Sequence, residues 1–431
     1  MSSLSELLKE KNTLPSGNVY IKNINGHSYY YYQFFHDGKR YTRKIDKSYA
    51  DELYLQIKRR KEIEILINEL RSRDKNVTLS NAAKTLTGYL MSENNVVAEF
   101  DHGQLVSMNE KLVPLIIKRT HSLEKFLSLR VMDMSRTNAR LLKRTLDIQV
   151  DEEYKIPLFA YALSISDSYW FKPKHSKIKY VDIKPNNDNY FETALKGDTT
   201  VFPRQTKLTP EITTTGSFEK GWKLIDNTWW LYKSGNNKQL FSEMFCYYFA
   251  NLLEIPTATY ELEGKYIKSQ NFADKYNFEP IASLADNNDN YDYIFNILLG
   301  ISKDIAKQYI KLIFFDSVVY NIDRHNENIG LLRNKKTGKI VSLAPNFDNN
   351  LALISSVDSL KEPNHDSFIY FFIDFIEKNQ VAKELFKQIP LKMITFYEIR
   401  EIIDKIPIEI DDKGDLVAKI YYRYYFLKEH F

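Results

Sequence analysis

A single cysteine, Cys246, stands among the 431 residues, so an intramolecular disulfide and a cysteine-built zinc cage are both excluded. It lies in the apolar run from Phe245 to Phe249, where a small buried hydrophobe is expected rather than a nucleophile. No stretch reaches the ~18 apolar residues of a membrane span, and the N-terminus carries no apolar signal core. The expectation is a cytoplasmic protein without membrane contact. A large excess of one charge is also missing. The formal net charge is only +4, too little for a protein that coats nucleic acid over its whole surface. No Gly-Lys-Ser/Thr triplet closes the chain's Thr/Gly-rich loop, so it is not a Walker phosphate loop. What remains, 43% hydrophobic and 27% charged residues, suits a globular protein of two or three domains.

The charge is uneven. Residues 1–75 hold 15 basic and 10 acidic residues, and the rest of the chain is nearly neutral. Asn18 to Ile24, Ser28 to Phe35 and Arg40 to Ile45 have strand character, with turns at Asn25-Gly26 and at His36–Lys39. So small a sheet needs a covering helix, and Tyr49 to Arg73 has the spacing for one. Two readings stand. One is a docking module, which the interspersed acids favour. The other is a weak nucleic-acid contact through Lys22, Lys39, Arg40, Arg43 and Lys44 with interleaved tyrosines. Lys58–Lys61 reads as a solvated helix face. Leu86 to Leu112 is β-rich, with a turn at Asp101–Gly103. Ser122 to Leu146 reads as helix, and its Arg130, Arg136, Arg140, Lys143 and Arg144 read by default as a solvated face, with binding to the chain's own loop or to a partner as the alternative.

The most informative stretch runs from Phe314 to Asp348. Ile305 to Tyr320 has helical spacing, and Asn321 to Asn328 is a polar, turn-type loop. Ile329–Leu332 and Ile340–Leu343 read as a hairpin around Asn334–Lys339. A hairpin sets the start of its first strand beside the end of its second. Asp323 and Asn328 on one side would thus meet Asp348 on the other. An Asp with an Asn five residues later suits phosphoryl transfer, which needs a base for a hydroxyl and oxygen ligands for magnesium. Elsewhere, Thr209 to Trp222 forms a small hydroxyl-rich loop whose backbone N–H groups could approach phosphate. Thr228 to Lys233 alternates like a strand and ends in a lysine placed to neutralise phosphates. Glu243, on the following helix, could orient that lysine.

The segments NIDRHNENIG (Asn321–Gly330) and APNFDNN (Ala344–Asn350) occur in that order with the hairpin between them. Together they resemble the signature of HipA-type serine/threonine kinases, with a loop similar to that of the wider phosphatidylinositol 3/4-kinase-like group. The resemblance spans roughly residues 160–430. It implies an α+β, two-lobed protein-kinase-like fold with a mostly helical C-lobe, behind a small N-terminal sheet/helix module. The segments would be 1–75 (the module), 76–160 (a β/α connection), 161–272 (the N-lobe) and 273–431 (the C-lobe). It implies Asp323 as catalytic base, Asn328 and Asp348 as magnesium ligands, and His325 as a buttress of the loop. Gly216, Glu219 and Lys220 match the family's phosphate-covering loop, so Thr214, Thr215, Gly216, Ser217 and Lys220, with Lys233, would hold ATP. The family autophosphorylates a serine of this loop, and the nearest counterparts are Thr213–Thr215 and Ser217. Gln270 and Phe272 fall at the family's crossing between lobes, where adenine is met. The activity implied is that of an ATP- and Mg2+-dependent protein kinase of the toxin type, with a translation-apparatus substrate and a small helix-turn-helix antitoxin as partner. A lipid or small-molecule alcohol kinase and a non-catalytic nucleotide-binding adaptor are the alternatives.

Overall fold

The computed structural model describes residues 4–24, 27–36, 39–73, 79–199, 208–353, 366–411 and 413–431. The chain divides into a smaller unit within its first 78 residues and a larger one holding Leu79–Thr199 and Leu208–Phe431.

In the smaller unit, β1 (Asn18–Ile24), β2 (His27–His36) and β3 (Lys39–Ile45) form an antiparallel meander. The expected turn residues Asn25-Gly26 and Asp37-Gly38 lie outside the described residues. Alternation along β2 turns Tyr32 toward the helix Lys47–Arg73, where Leu53 and Ile57 cover it. A helix not foreseen in the sequence, Leu4–Thr13, sets Leu7 against Ile63. Arg60 donates to the carbonyls of Lys11 and Leu14, so the basic run at 58–61 is in part a tie between helices rather than a solvated face.

The larger unit opens with β4 (Gly88–Ser92), β5 (Asn95–Asp101) and β6 (Gln104–Met108), joined by β7 (Tyr169–Pro173) in the order β6-β5-β4-β7. The expected helix over 122–146 is instead two, Leu123–Ser128 and Thr137–Thr145. Arg130 and Arg136 are buried rather than solvated, which corrects the surface reading of both. Arg130 pairs with buried Asp167 at 2.6 Å, and a bonded, buried ion pair fixes the chain where a continuous helix would have run through.

Next, β8 (Lys220–Ile225), β9 (Thr228–Ser234), β10 (Tyr260–Glu263) and β11 (Tyr266–Gln270) form an antiparallel sheet in the order β10-β11-β9-β8. Between β9 and β10 lies the helix Asn237–Leu252, started by a capping box of Asn236 and Gln239. A third sheet joins β12 (Tyr276–Pro280), β13 (Gly330–Asn334) and β14 (Ile340–Leu343). Its β13–β14 part is the expected hairpin, with the first strand one residue later. Gly330 is required there, because a Cβ would collide with the Phe278 ring on β12.

The core of this unit lies around the helix Lys303–Val319, which Ser302 caps. Tyr309, Phe314 and Phe315 are all at most 1% exposed, so truncating one such ring costs about 3–5 kcal/mol. The helices Tyr291–Ile301, Ser367–Lys378, Gln380–Lys387 and Lys413–His430 supply their neighbours. Tyr320 ends the central helix at φ +54°. That left-handed step throws the chain into residues 321–328 with the loop fixed to a rigid support.

Candidate active site

Lys233 is the centre of the site. It sits near the end of β9, and its Nζ lies 2.7 Å from Asp348 Oδ1 and 3.3 Å from Glu243 Oε1. Glu243 is fully buried, and its second oxygen accepts the Asn349 backbone N–H at 2.6 Å. One carboxylate therefore holds both the lysine and the segment after β14. Burial alone would drive the Lys233 ammonium down, but Asp348 and Glu243 raise it above its ordinary value. Burial likewise works to raise Asp348, yet Lys233 and Lys220 hold its carboxyl well below the usual range. Asp348 stands at φ +58°, and its N–H donates to the Tyr260 hydroxyl.

The loop 321–328 meets this group. The Asn328 amide nitrogen donates to the Asp323 carbonyl at 3.0 Å, which leaves its Oδ1 as the free acceptor among the described residues. Burial raises the Asp323 carboxyl; His325 pulls it down, and Asp348 pushes it up again. Asp348 is thus among the charges that act on Asp323. Arg324, which sequence reasoning missed, makes the junction. Its side chain is 5% exposed and pairs with Asp316 at 2.8 Å. It also donates to the carbonyls of Asn328 and Phe347 and to the side chains of Asn346 and Asn349. The buttress is therefore Arg324. His325 is exposed, and its Nδ1 only accepts from the Glu327 N–H.

The Thr/Gly loop closes the other side. Lys220 pairs with Lys233 across β8 and β9 and is 4% exposed. Its ammonium donates to no group among the described residues. Gly216 stands at φ +87°, where a Cβ would strike that ammonium. Thr213 donates its hydroxyl to the Leu163 carbonyl, and Thr214 donates to the Pro210 carbonyl. Thr215 is half-buried and Ser217 is exposed. Arg136, for which the sequence left a solvated face and a contact to the chain's own loop both open, makes the loop contact: it donates to the Thr214 carbonyl at 2.6 Å, while Glu219 accepts from the Asn138 N–H. Behind them, burial pushes Glu211 up to about 8, although Arg136 works against the shift.

The remaining two candidates lie at the end of β11 and just after it. Gln270 is exposed at the end of β11, opposite Trp230. Phe272 is half-buried and packs against Phe278 and Phe347.

These residues fit a magnesium-bound nucleotide. One carboxylate and one free amide oxygen are the protein share that magnesium takes when phosphates complete its shell. No group of three or more His, Cys, Asp or Glu suited to a metal occurs among the described residues. The unpaired Lys220 ammonium under Gly216 is a cradle for anionic oxygen.

No family model matches the chain, and neither does any curated protein. Solved structures do. The Shewanella oneidensis MR-1 toxin–antitoxin complex of HipA, HipB and operator DNA matches with TM-score 0.51 and 12% identity, over 80% of this chain and 97% of that one. The Helicobacter pylori proinflammatory kinase CtkA matches with TM-score 0.39 and 16% identity, over 49% of this chain and 94% of that one. At such identity the first likeness speaks for architecture: the chain has a HipA-like α+β fold.

Proposed function

We propose that the chain is an ATP- and magnesium-dependent serine/threonine protein kinase of the HipA type, with β8–β11 in one lobe and the helices around Lys303–Val319 in the other. The observation that carries this is the Lys233–Asp348 ion pair, held by Glu243 and facing Asp323. Lys233 and Lys220 would neutralise the phosphates, and the loop 214–217 would offer its backbone N–H groups. Asn328 and Asp348 would hold magnesium, which supplies charge neutralisation between phosphate oxygens when bound. Asp323, partly desolvated, would orient a substrate hydroxyl and accept its proton. The exposed Gln270 and the Phe272 ring mark the end where a base would lie. The substrate would be a cytoplasmic protein, with the translation apparatus the class the family resemblance indicates. A small helix-turn-helix antitoxin would be the partner, in line with the HipB component of the Shewanella complex.

The test is transfer of label from γ-labelled ATP with magnesium to the chain itself or to a lysate protein. Asp323→Ala is expected to lose about 10³-fold in transfer while keeping the nucleotide-induced thermal shift. Asp348→Ala is expected to lose the shift itself. Full transfer by both variants would remove the assignment. Label confined to a lipid extract would make the enzyme a lipid kinase, and neither label nor thermal shift would make it an adaptor.

A further inference from the structure

The open face of the small N-terminal sheet has no part in the site above. Its three strands carry five basic residues and no acidic one. The acids that dilute the charge of this unit sit largely on its helices, where they are already engaged. Glu10 pairs with Arg59 at 2.8 Å, and Glu64 pairs with Lys11 at 3.1 Å. Lys22, Arg40 and Lys44, by contrast, are exposed and have no ion pair among the described residues. The positive charge of the unit is therefore concentrated on the strands.

Register shows how this face is composed. Tyr20 pairs with Tyr31, Lys22 with Tyr29, and Tyr31 with Lys44, all on the side opposite the helix-covered Tyr32. Lys22 Nζ lies 5.9 and 5.4 Å from the ring centroids of Tyr20 and Tyr31, and Lys44 Nζ lies 4.2 Å from that of Tyr29. Farther along, Arg40 donates to Gln33, and Gln33 donates to Thr42. The face is thus a bed of rings capped by ammonium groups beside a polar row.

We propose that this face binds the major groove of double-stranded DNA. Three strands at about 4.8 Å spacing measure ~10 Å between the outer two, within a B-form groove of ~12 Å. Lys22 and Lys44 are the phosphate contacts, and the Arg40–Gln33 pair has the side chains that read guanine and adenine edges. Single-stranded nucleic acid would need bare ring faces for stacking, and here the rings carry ammonium groups. Duplex RNA presents a deep, narrow major groove that such a sheet cannot enter.

Fluorescence anisotropy of the full chain with a labelled random-sequence DNA duplex of a little over two turns tests this. Binding in the range of about 10⁻⁴ to 10⁻⁶ M is expected at physiological salt, with log K falling against log salt at a slope of about −2, for the two phosphate contacts. Lys22→Ala/Arg40→Ala/Lys44→Ala is expected to weaken binding by ~10-fold or more and to flatten that slope, with an unchanged circular dichroism spectrum. If the triple variant misfolds, Lys44→Glu alone, with the same loss, takes its place. Lys58→Ala/Lys61→Ala is expected to bind as the wild type does. Wild-type-like binding by the strand variants, a preference for single-stranded DNA or duplex RNA, or no binding even at low salt overturns the proposal. Neither nucleotide nor phosphoryl transfer enters this test, so it stands apart from the kinase reading.

Discussion

Lys220 and Lys233 face each other across β8 and β9, both 4% exposed, and their ammonium groups are driven in opposite directions. Lys233 has two carboxylates to hold it charged. Lys220 has no hydrogen-bonded carboxylate among the described residues, and burial pushes it down to about 8, with Asp348 pulling against the shift and Lys233 adding to it. An anion placed between them satisfies the second lysine without disturbing the first.

A pH dependence follows. Unfolded, Lys220 titrates near 10.5, so between pH 8 and 10.5 the unfolded chain holds a proton that the folded one has released. Its contribution to the nucleotide-free fold therefore becomes more favourable as pH rises through that window. Nucleotide phosphates restore the ammonium, so binding takes up a proton and weakens as pH climbs above 8. Calorimetry in buffers of different ionisation enthalpy at about pH 8.5 checks the uptake, and Lys220→Met is expected to abolish it.

Gly216→Ala puts a Cβ at φ +87° and against the Lys220 ammonium. The backbone strain alone is about 1 kcal/mol, and the lysine must leave its place. Nucleotide affinity is expected to fall about 10-fold or more, while the melting temperature moves by only a few degrees. Equilibrium binding of a nucleotide with magnesium, beside a thermal melt, separates the two effects.

Arg324→Ala leaves Asp316 buried and unpaired, and it strips donors from both segments that form the site. Breaking one partner of such a pair costs about 3–5 kcal/mol. Arg324→Lys keeps the charge but loses the planar fork. We expect it to retain most stability and yet lose magnesium-nucleotide binding, as measured by thermal shift with and without ligand.

Arg136→Met removes the donor to the Thr214 carbonyl and the positive charge beside buried Glu211 and half-buried Glu219. Hydrogen exchange over 213–217 is expected to accelerate by ~10-fold or more, while the central helix Lys303–Val319 stays protected. Equal exchange in both proteins would show that the loop is held by other contacts.

The helix, the loop and the hairpin at the candidate site were the parts most legible in the sequence. Periodicity marked the central helix and the hairpin, and turn chemistry marked the loop between them, so the meeting of Asp323, Asn328 and Asp348 could be expected from chain order alone. Glu243 was visible only as an acid on the helix after Lys233. Its double contact, to Lys233 and to the Asn349 N–H, depends on a segment more than 100 residues away. Arg324 and Arg136 carried no local signal. A charged residue in a polar loop or near a helix start is usually solvated, and only tertiary packing turned these two inward. The same holds for β12 and for the helix Leu4–Thr13, which owe their places to partners distant in sequence.

The Thr213 hydroxyl is committed to the carbonyls of Leu163 and Pro210, and that of Thr214 to the Pro210 carbonyl, whereas Ser217 stands in solvent. A hydroxyl buried and tied in this way cannot reach a phosphoryl donor until the turn unwinds. Any mark left on those threonines would therefore be a record of an earlier opening. A mark on Ser217 would carry no such history. The fraction of chains bearing each would then gauge how often the 213–217 loop opens.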